Sequence, residues 1–131
     1  MSAINEVMEA VIDLMNATAP FARVTRGALP TGAGITCEVG PSAPEAVFLD
    51  KNSYVPLEVV VNGKHANLKT LSDALNTIHG ALTRATIYPS GESWEIVDIT
   101  NVTVPEKIGM EDKNQWLMAS TLSVKFYWRG E

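Results

Sequence analysis

The chain has one cysteine, Cys37, two histidines and no long apolar run among its 131 residues. A single cysteine cannot form an internal disulfide, so the sequence fits a reducing compartment, with Cys37 as a small apolar residue on a strand. A membrane helix needs about 20 apolar residues, and the helix-like segment 4–15 is interrupted by Glu6, Glu9 and Asp13. The sequence therefore predicts neither a disulfide framework nor a membrane partner.

Basic residues are also scarce. Ten lysines and arginines stand against fifteen acidic residues, for a net charge of -5, the wrong sign for a protein that grips a phosphate backbone. The first residues are acidic where a signal peptide would be basic, so export by that route is not expected. The composition excludes tight or sequence-specific nucleic-acid binding and leaves open a passive channel wall or a protein-binding surface.

Motifs that carry chemistry are missing. His65 and His79 do not have the spacing of a metal site, and we expect His79 to be a partly exposed helix residue and His65 to be a turn residue. The glycines of residues 27–34 fit neither phosphate-binding nor dinucleotide-binding spacing, and the serines lack the context of a catalytic nucleophile. We therefore predict no catalytic residue, no metal ligand and no cofactor, and we do not expect an enzyme.

A strongly alternating segment, QWLMASTLSVKFYWR, occupies residues 115–129. Its even positions are apolar except for Ser120, so they are predicted to form the core side of a strand. Fifteen extended residues would span roughly 50 Å, whereas a compact domain of this length has a diameter of about 36 Å. The strand must therefore bend, bulge or pair outside its own subunit, which makes the protein a candidate for assembly.

The odd positions of this segment give the candidate interface, which consists of Lys125, Tyr127 and Arg129. Tyrosine and arginine are enriched at the energetic centres of protein interfaces. The aromatic residues Trp116 and Trp128 are expected in the core together with Phe126. One alternative is that these three rings and Tyr127 form a stacking platform for bases, and another is that the three rings form a ligand-binding surface.

Two helices are predicted. Apolar residues recur at helical spacing over residues 3–17, and Asn67 is placed to cap a second helix that ends near Arg84. Short apolar runs at 22–24, 35–39, 46–49 and 55–61 predict strands, and Asn62-Gly63 is expected to break the last of them.

The apolar parity changes within the strand expected at residues 94–104. A β-bulge near Thr100 or Asn101 would explain this change. A charged loop, residues 105–113, is predicted to join this strand to the terminal one as an antiparallel pair. We thus expect residues 1–131 to form one α+β domain, with a mixed, mainly antiparallel sheet, two helices on one face and a hairpin or long-loop excursion.

Motifs in a characteristic order run from residue 49 to residue 129. They are LDK at 49–51, VVVNGKH at 59–65, IHGALT at 78–83, YP at 88–89, DI at 98–99, IG at 108–109, QWL at 115–117 and VKFYWR at 124–129, with Trp94, Ile96 and Pro105 between them. In these motifs the chain resembles the minor capsid proteins of tailed bacteriophages and prophages. Residues 1–48 resemble them in helix placement and little else.

That family is similar to the tail terminators of long-tailed phages, which are small α+β proteins that cap the tail tube as a hexameric ring. The resemblance implies a structural protein without a cofactor, whose partners are further copies of itself, the tail tube protein and head-tail connector proteins. It implies assembly in the bacterial host cytoplasm and a final location at the head-tail junction of the virion.

Two alternatives stay open at this point. A head-completion or neck connector protein belongs to the same structural class but would bind the portal side. A small ligand-binding domain, or a hydrolase that uses His65 or His79, belongs to a different class.

Overall fold

The computed structural model describes residues 2–40, 53–111 and 114–128. In chain order its elements are α1 (Ser2–Asn16), β1 (Val24–Arg26), β2 (Gly34–Val39), β3 (Ser53–His65), α2 (Leu68–Arg84), β4 (Trp94–Glu111) and β5 (Gln115–Trp128). The strand expected at residues 46–49 lies outside the described residues.

The five strands form one sheet in the order β1-β2-β3-β5-β4. The first two strands are parallel, and the remaining neighbours are antiparallel. The predicted α+β fold with a mixed, mainly antiparallel sheet is confirmed. The strand with the clearest alternation, β5, lies inside the sheet, whereas β4 lies at its edge.

Helix α1 packs through one apolar stripe, in which Val7, Met8, Val11 and Met15 are buried. Polar contacts fix both of its ends. The side chain of Asn16 accepts a hydrogen bond from the Val24 amide at 2.7 Å and donates one to the Val24 carbonyl at 3.3 Å. Near the other end, the Trp94 indole donates to Glu6 at 2.7 Å. These bonds hold the helix to β1 and to the start of β4.

Helix α2 begins and ends as its sequence predicts. Asn67 is the N-cap, and its side-chain oxygen accepts a hydrogen bond from the Thr70 amide at 3.1 Å. This satisfies one of the backbone donors that a helix start leaves unpaired. The buried stripe of the helix consists of Leu71, Leu75, Ile78, His79 and Leu82.

The prediction that Asn62-Gly63 breaks the third strand is wrong, because β3 continues to His65 and pairs with β2 and β5 through both residues. Gly63 instead allows α2 to pack closely against β3. A Cβ at this position would lie 2.6 Å from a terminal methyl of Leu71, so the missing side chain lets α2 approach the sheet closely.

The alternation predicted for β5 is confirmed. Met118, Leu122, Val124, Phe126 and Trp128 are buried. On the same face Ser120 is buried too, and Trp116 is half-buried and packs against the core. The strand does not overhang its sheet, because β3 pairs with it from Ser53 to His65 and β4 pairs along its other side.

The loop expected at residues 105–113 is mostly strand. β4 continues to Glu111, across Pro105 and the charges that suggested a loop. An edge strand tolerates both features. A proline there does not break the sheet, because an amide on the outer side has no partner strand. Charged side chains at an edge discourage pairing with other chains. The antiparallel pairing of β4 with β5 is as predicted.

Truncation of Phe126 tests the assignment of the core face. We expect Phe126→Ala to lower the free energy of unfolding by about 3–5 kcal/mol, because the ring is fully buried. Urea denaturation followed by tryptophan fluorescence measures this change. The matched control Ser123→Ala, on the opposite face of β5, should change it by about 0.5 kcal/mol or less; equal losses in the two variants would contradict the assignment.

Candidate assembly interface

Strand β4 is longer than the strand it pairs with. Its 18 residues run beside the 14 residues of β5, and the pairing register shifts four times, between Ile96 and Asp98, Asn101 and Thr103, Thr103 and Glu106, and Lys107 and Gly109. The bulge predicted near Thr100 or Asn101 is therefore present at Val102, and it is one of several.

The residues that the register skips include most of the exposed large apolar side chains of the described chain. Four valine or isoleucine side chains are both skipped and exposed, and we call them the β4 stripe: Val97 at 38%, Val102 at 52%, Val104 at 58% and Ile108 at 64%. Met110, at 47%, is exposed on the same strand. Bulges redirect side chains away from the partner strand, so β4 presents exposed apolar side chains at intervals along its length, and exposed apolar surface is a common property of protein interfaces.

The same irregularities make β4 a poor template for strand addition. Bulges interrupt the regular row of outward backbone groups that another strand needs, and Pro105 has no amide to donate. An apolar surface without a regular ladder favours contacts through side chains over strand addition.

Two of the three residues of the sequence-predicted interface lie on the face of the sheet opposite the helices. Lys125 is exposed and lies opposite Asp98 in the register of β4 and β5. Tyr127 is half-buried and lies opposite Glu95 in the same register. Arg129 is outside the described residues. The structure therefore brings two of the three predicted residues to one open sheet face, and their role in an interface stays a prediction.

The expectation for His79 is wrong, because its side chain is buried and not partly exposed. Nδ1 lies 2.6 Å from the side-chain oxygen of Asn101 on β4, and Nε2 lies 2.7 Å from the hydroxyl of Ser120 on β5. A neutral imidazole protonated on Nδ1 satisfies both contacts, since the amide oxygen accepts and the hydroxyl donates. Three elements are thus joined by one buried polar group.

Ser120, His79 and Asn101 are arranged like the nucleophile, the base and the orienting residue of a catalytic triad. Catalysis would also require that a substrate reach the hydroxyl, but the Ser120 side chain is buried beneath α2, with only 2% of the residue exposed. The geometry favours a structural role, in which the bonds fix the position of α2 over the hairpin of β4 and β5.

Burial lowers the pKa of His79 below its usual value of 6.5, and the contact with Asn101 opposes this shift in part. The charged form is disfavoured because a buried imidazolium loses its hydration. The histidine therefore acts in the folded protein as a neutral hydrogen-bonding group.

His65 serves the start of α2. Its Nδ1 accepts a hydrogen bond from the Asn67 amide at 2.8 Å, and its ring meets Phe21 edge to face, with 4.7 Å between the ring centroids. Among the described residues no group of three histidine, cysteine or acidic side chains is placed to hold a metal ion. The two histidines do not share a site.

The aromatic residues do not form a platform along β5. Phe126 and Trp128 are buried in the core, while Trp116 is half-buried and carries Lys107 over its ring, with Nζ 5.0 Å from the centroid. A stacking surface needs exposed rings. The expectation of core positions is confirmed for Phe126 and Trp128 and holds in part for Trp116.

No described helix is long and apolar enough to cross a membrane. No protein-family model matches the chain, and no curated protein matches it. Its structure is similar to a chain from the "Virion of native gene transfer agent (GTA) particle", with a TM-score of 0.63, 12% sequence identity and coverage of 91% of this chain and 92% of that chain. The two chains share a fold. At this identity the likeness concerns architecture, and it extends over nearly the whole of both chains.

Acidification tests the buried histidine. Because the pKa of His79 is lower in the folded state, the unfolded chain binds more protons below pH 6.5, so the free energy of unfolding should fall as the pH decreases from that value toward the folded pKa. Urea denaturation between about pH 7.5 and about pH 5 measures the slope. His79→Gln removes the titrating group, so its slope should be smaller; identical slopes would contradict this account.

Proposed function

We propose that this protein is a structural component of a phage or prophage particle, and specifically a tail terminator that caps the tail tube and forms the surface to which the head is joined. The observation that carries the proposal is the fold shared with a gene transfer agent virion chain over more than nine tenths of both chains. The motif resemblance to phage minor capsid proteins supports the same class independently.

The surfaces of the chain support an assembly role. An edge strand with exposed apolar side chains favours protein contacts, and the described residues bring together no accessible catalytic set or metal cluster. The net charge of -5 would let DNA pass a ring of such subunits without binding it tightly. In this proposal the partners are further copies in a hexameric ring, the tube protein and the head-tail connector proteins, first in the host cytoplasm and then in the virion.

A binding experiment distinguishes the tail terminator from the head-completion or neck connector protein. The purified chain is incubated with tail tubes and, separately, with connector complexes from the same phage or prophage, and both mixtures are viewed by electron microscopy. The proposal expects rings at tube ends and tubes of limited length. Binding to connectors alone would favour the neck protein, and a monomer that binds neither would contradict the structural role.

The open sheet face gives a second prediction. Tyr127→Ala combined with Arg129→Ala should leave the unfolding midpoint nearly unchanged and weaken ring formation or tail attachment, because large tyrosine and arginine side chains concentrate binding energy at interfaces. Lys125→Ala should act in the same direction with a smaller effect. Thermal unfolding and tube capping are measured on the same samples. A double variant that fails to fold would show that these residues belong to the core, and unchanged capping would remove them from the interface.

A further inference from the structure

We propose that the β4 stripe of one subunit packs against the outer face of α2 of a neighbouring subunit, so that a second copy of this chain covers the exposed apolar side chains. The inference rests on the proposed assembly function and names the two surfaces that meet. It is carried by the β4 bulges, by charge complementarity and by the shape of the α2 face.

Charge complementarity favours a contact between these two elements. β4 contains four acidic residues and one lysine, a net charge of -3. α2 contains Lys69, Asp73 and Arg84, a net charge of +1. Copies of a protein with a net charge of -5 repel one another on average, so a contact between these two oppositely charged elements is favoured over contacts between acidic surfaces.

The outer face of α2 also carries two adjoining grooves. One shallow groove is lined by Asp73, Asn76, Thr77, Gly80, Ala81 and Arg84. A second groove adjoins it through Asp73 and Thr77 and continues to the turn after α1, at residues 18–21. The carboxylate they share already pairs with Lys69 at 2.8 Å. Small, neutral side chains such as Gly80 and Ala81 can receive the valine and isoleucine side chains of a neighbour, while Arg84 supplies the positive charge that faces the acidic residues of β4.

The contact is heterologous, since the stripe and the α2 face are different surfaces of one chain. Such a contact passes from each subunit to the next and closes into a ring when the rotation between neighbours permits. The alternative within one pair of copies is a two-fold contact of stripe against stripe, which would bring two strands of charge -3 together.

The size of the contact limits its strength. Strand β4 runs beside the 14 residues of β5, which is about 46 Å at ~3.3 Å per residue and, for a layer ~10 Å thick, a strip of at most about 460 Å². Stable interfaces bury about 800 Å² per partner. The ring contact is therefore expected to form at high protein concentration or on the tube end, and to be weak in dilute solution.

Cysteine cross-linking tests the pairing of surfaces. The native Cys37 is buried, and burial raises its pKa to about 12, so an added exposed cysteine would be the reactive thiol. Val104→Cys and Thr77→Cys are prepared on separate full-length chains, mixed at high concentration and on tail tubes, and treated with a short bis-maleimide. Both positions are exposed.

The expected result is a cross-linked dimer of Val104→Cys with Thr77→Cys, at a yield at least several-fold above that of either variant alone. Ala28→Cys, an exposed control before β2, should not cross-link to Val104→Cys above background. A Val104→Cys homodimer as the main product would overturn the inference in favour of the two-fold contact. Rings on tubes without the mixed product would overturn it and leave the proposed function standing, and the absence of any assembly would overturn both.

Discussion

The register of β5 between its two neighbours is the constraint on which the rest of the structure depends. One face of this strand supplies the centre of the core, from Met118 to Trp128, and a slip of one residue would turn that face to solvent. The contacts of the buried His79 with Asn101 and Ser120 connect the same register to α2. Apolar alternation thus determines the faces of the sheet, and one polar group helps to fix the helix over them.

The irregularity of β4 follows from this constraint. Because β5 lies between two strands, the additional residues of the hairpin are accommodated in β4, where nothing in the described sheet pairs on the outer side. Each bulge moves an apolar side chain out of the ladder and also weakens the edge as a template for other strands. A surface that is apolar yet resistant to strand addition is suited to specific assembly through side chains, as the proposed role would require.

Much of this fold could be predicted from the sequence, because local periodicity determines which side chains are buried. The alternation of β5, the cap of α2 at Asn67 and the α+β class depend on such patterns. Sequence reasoning failed where a distant contact decided the outcome: Gly63 continues a strand because α2 packs over it, and His79 is buried because two strands supply partners. Ser120, a polar residue on an apolar face, was the available signal for that network. The β4 stripe could not be predicted, since its valines become exposed through register shifts that only the paired sheet defines.

We propose that this chain assembles into a ring at the end of a tail tube through the side chains of its bulged edge strand. The most direct test is a cryo-electron microscopy structure of the protein bound at the end of its tail tube. The account predicts a ring in which Val102, Val104 and Ile108 of each subunit are covered by α2 of its neighbour, with no strand hydrogen-bonded to the outer side of β4. A ring in which β4 faces solvent, or in which it pairs with a neighbour's strand, would contradict it.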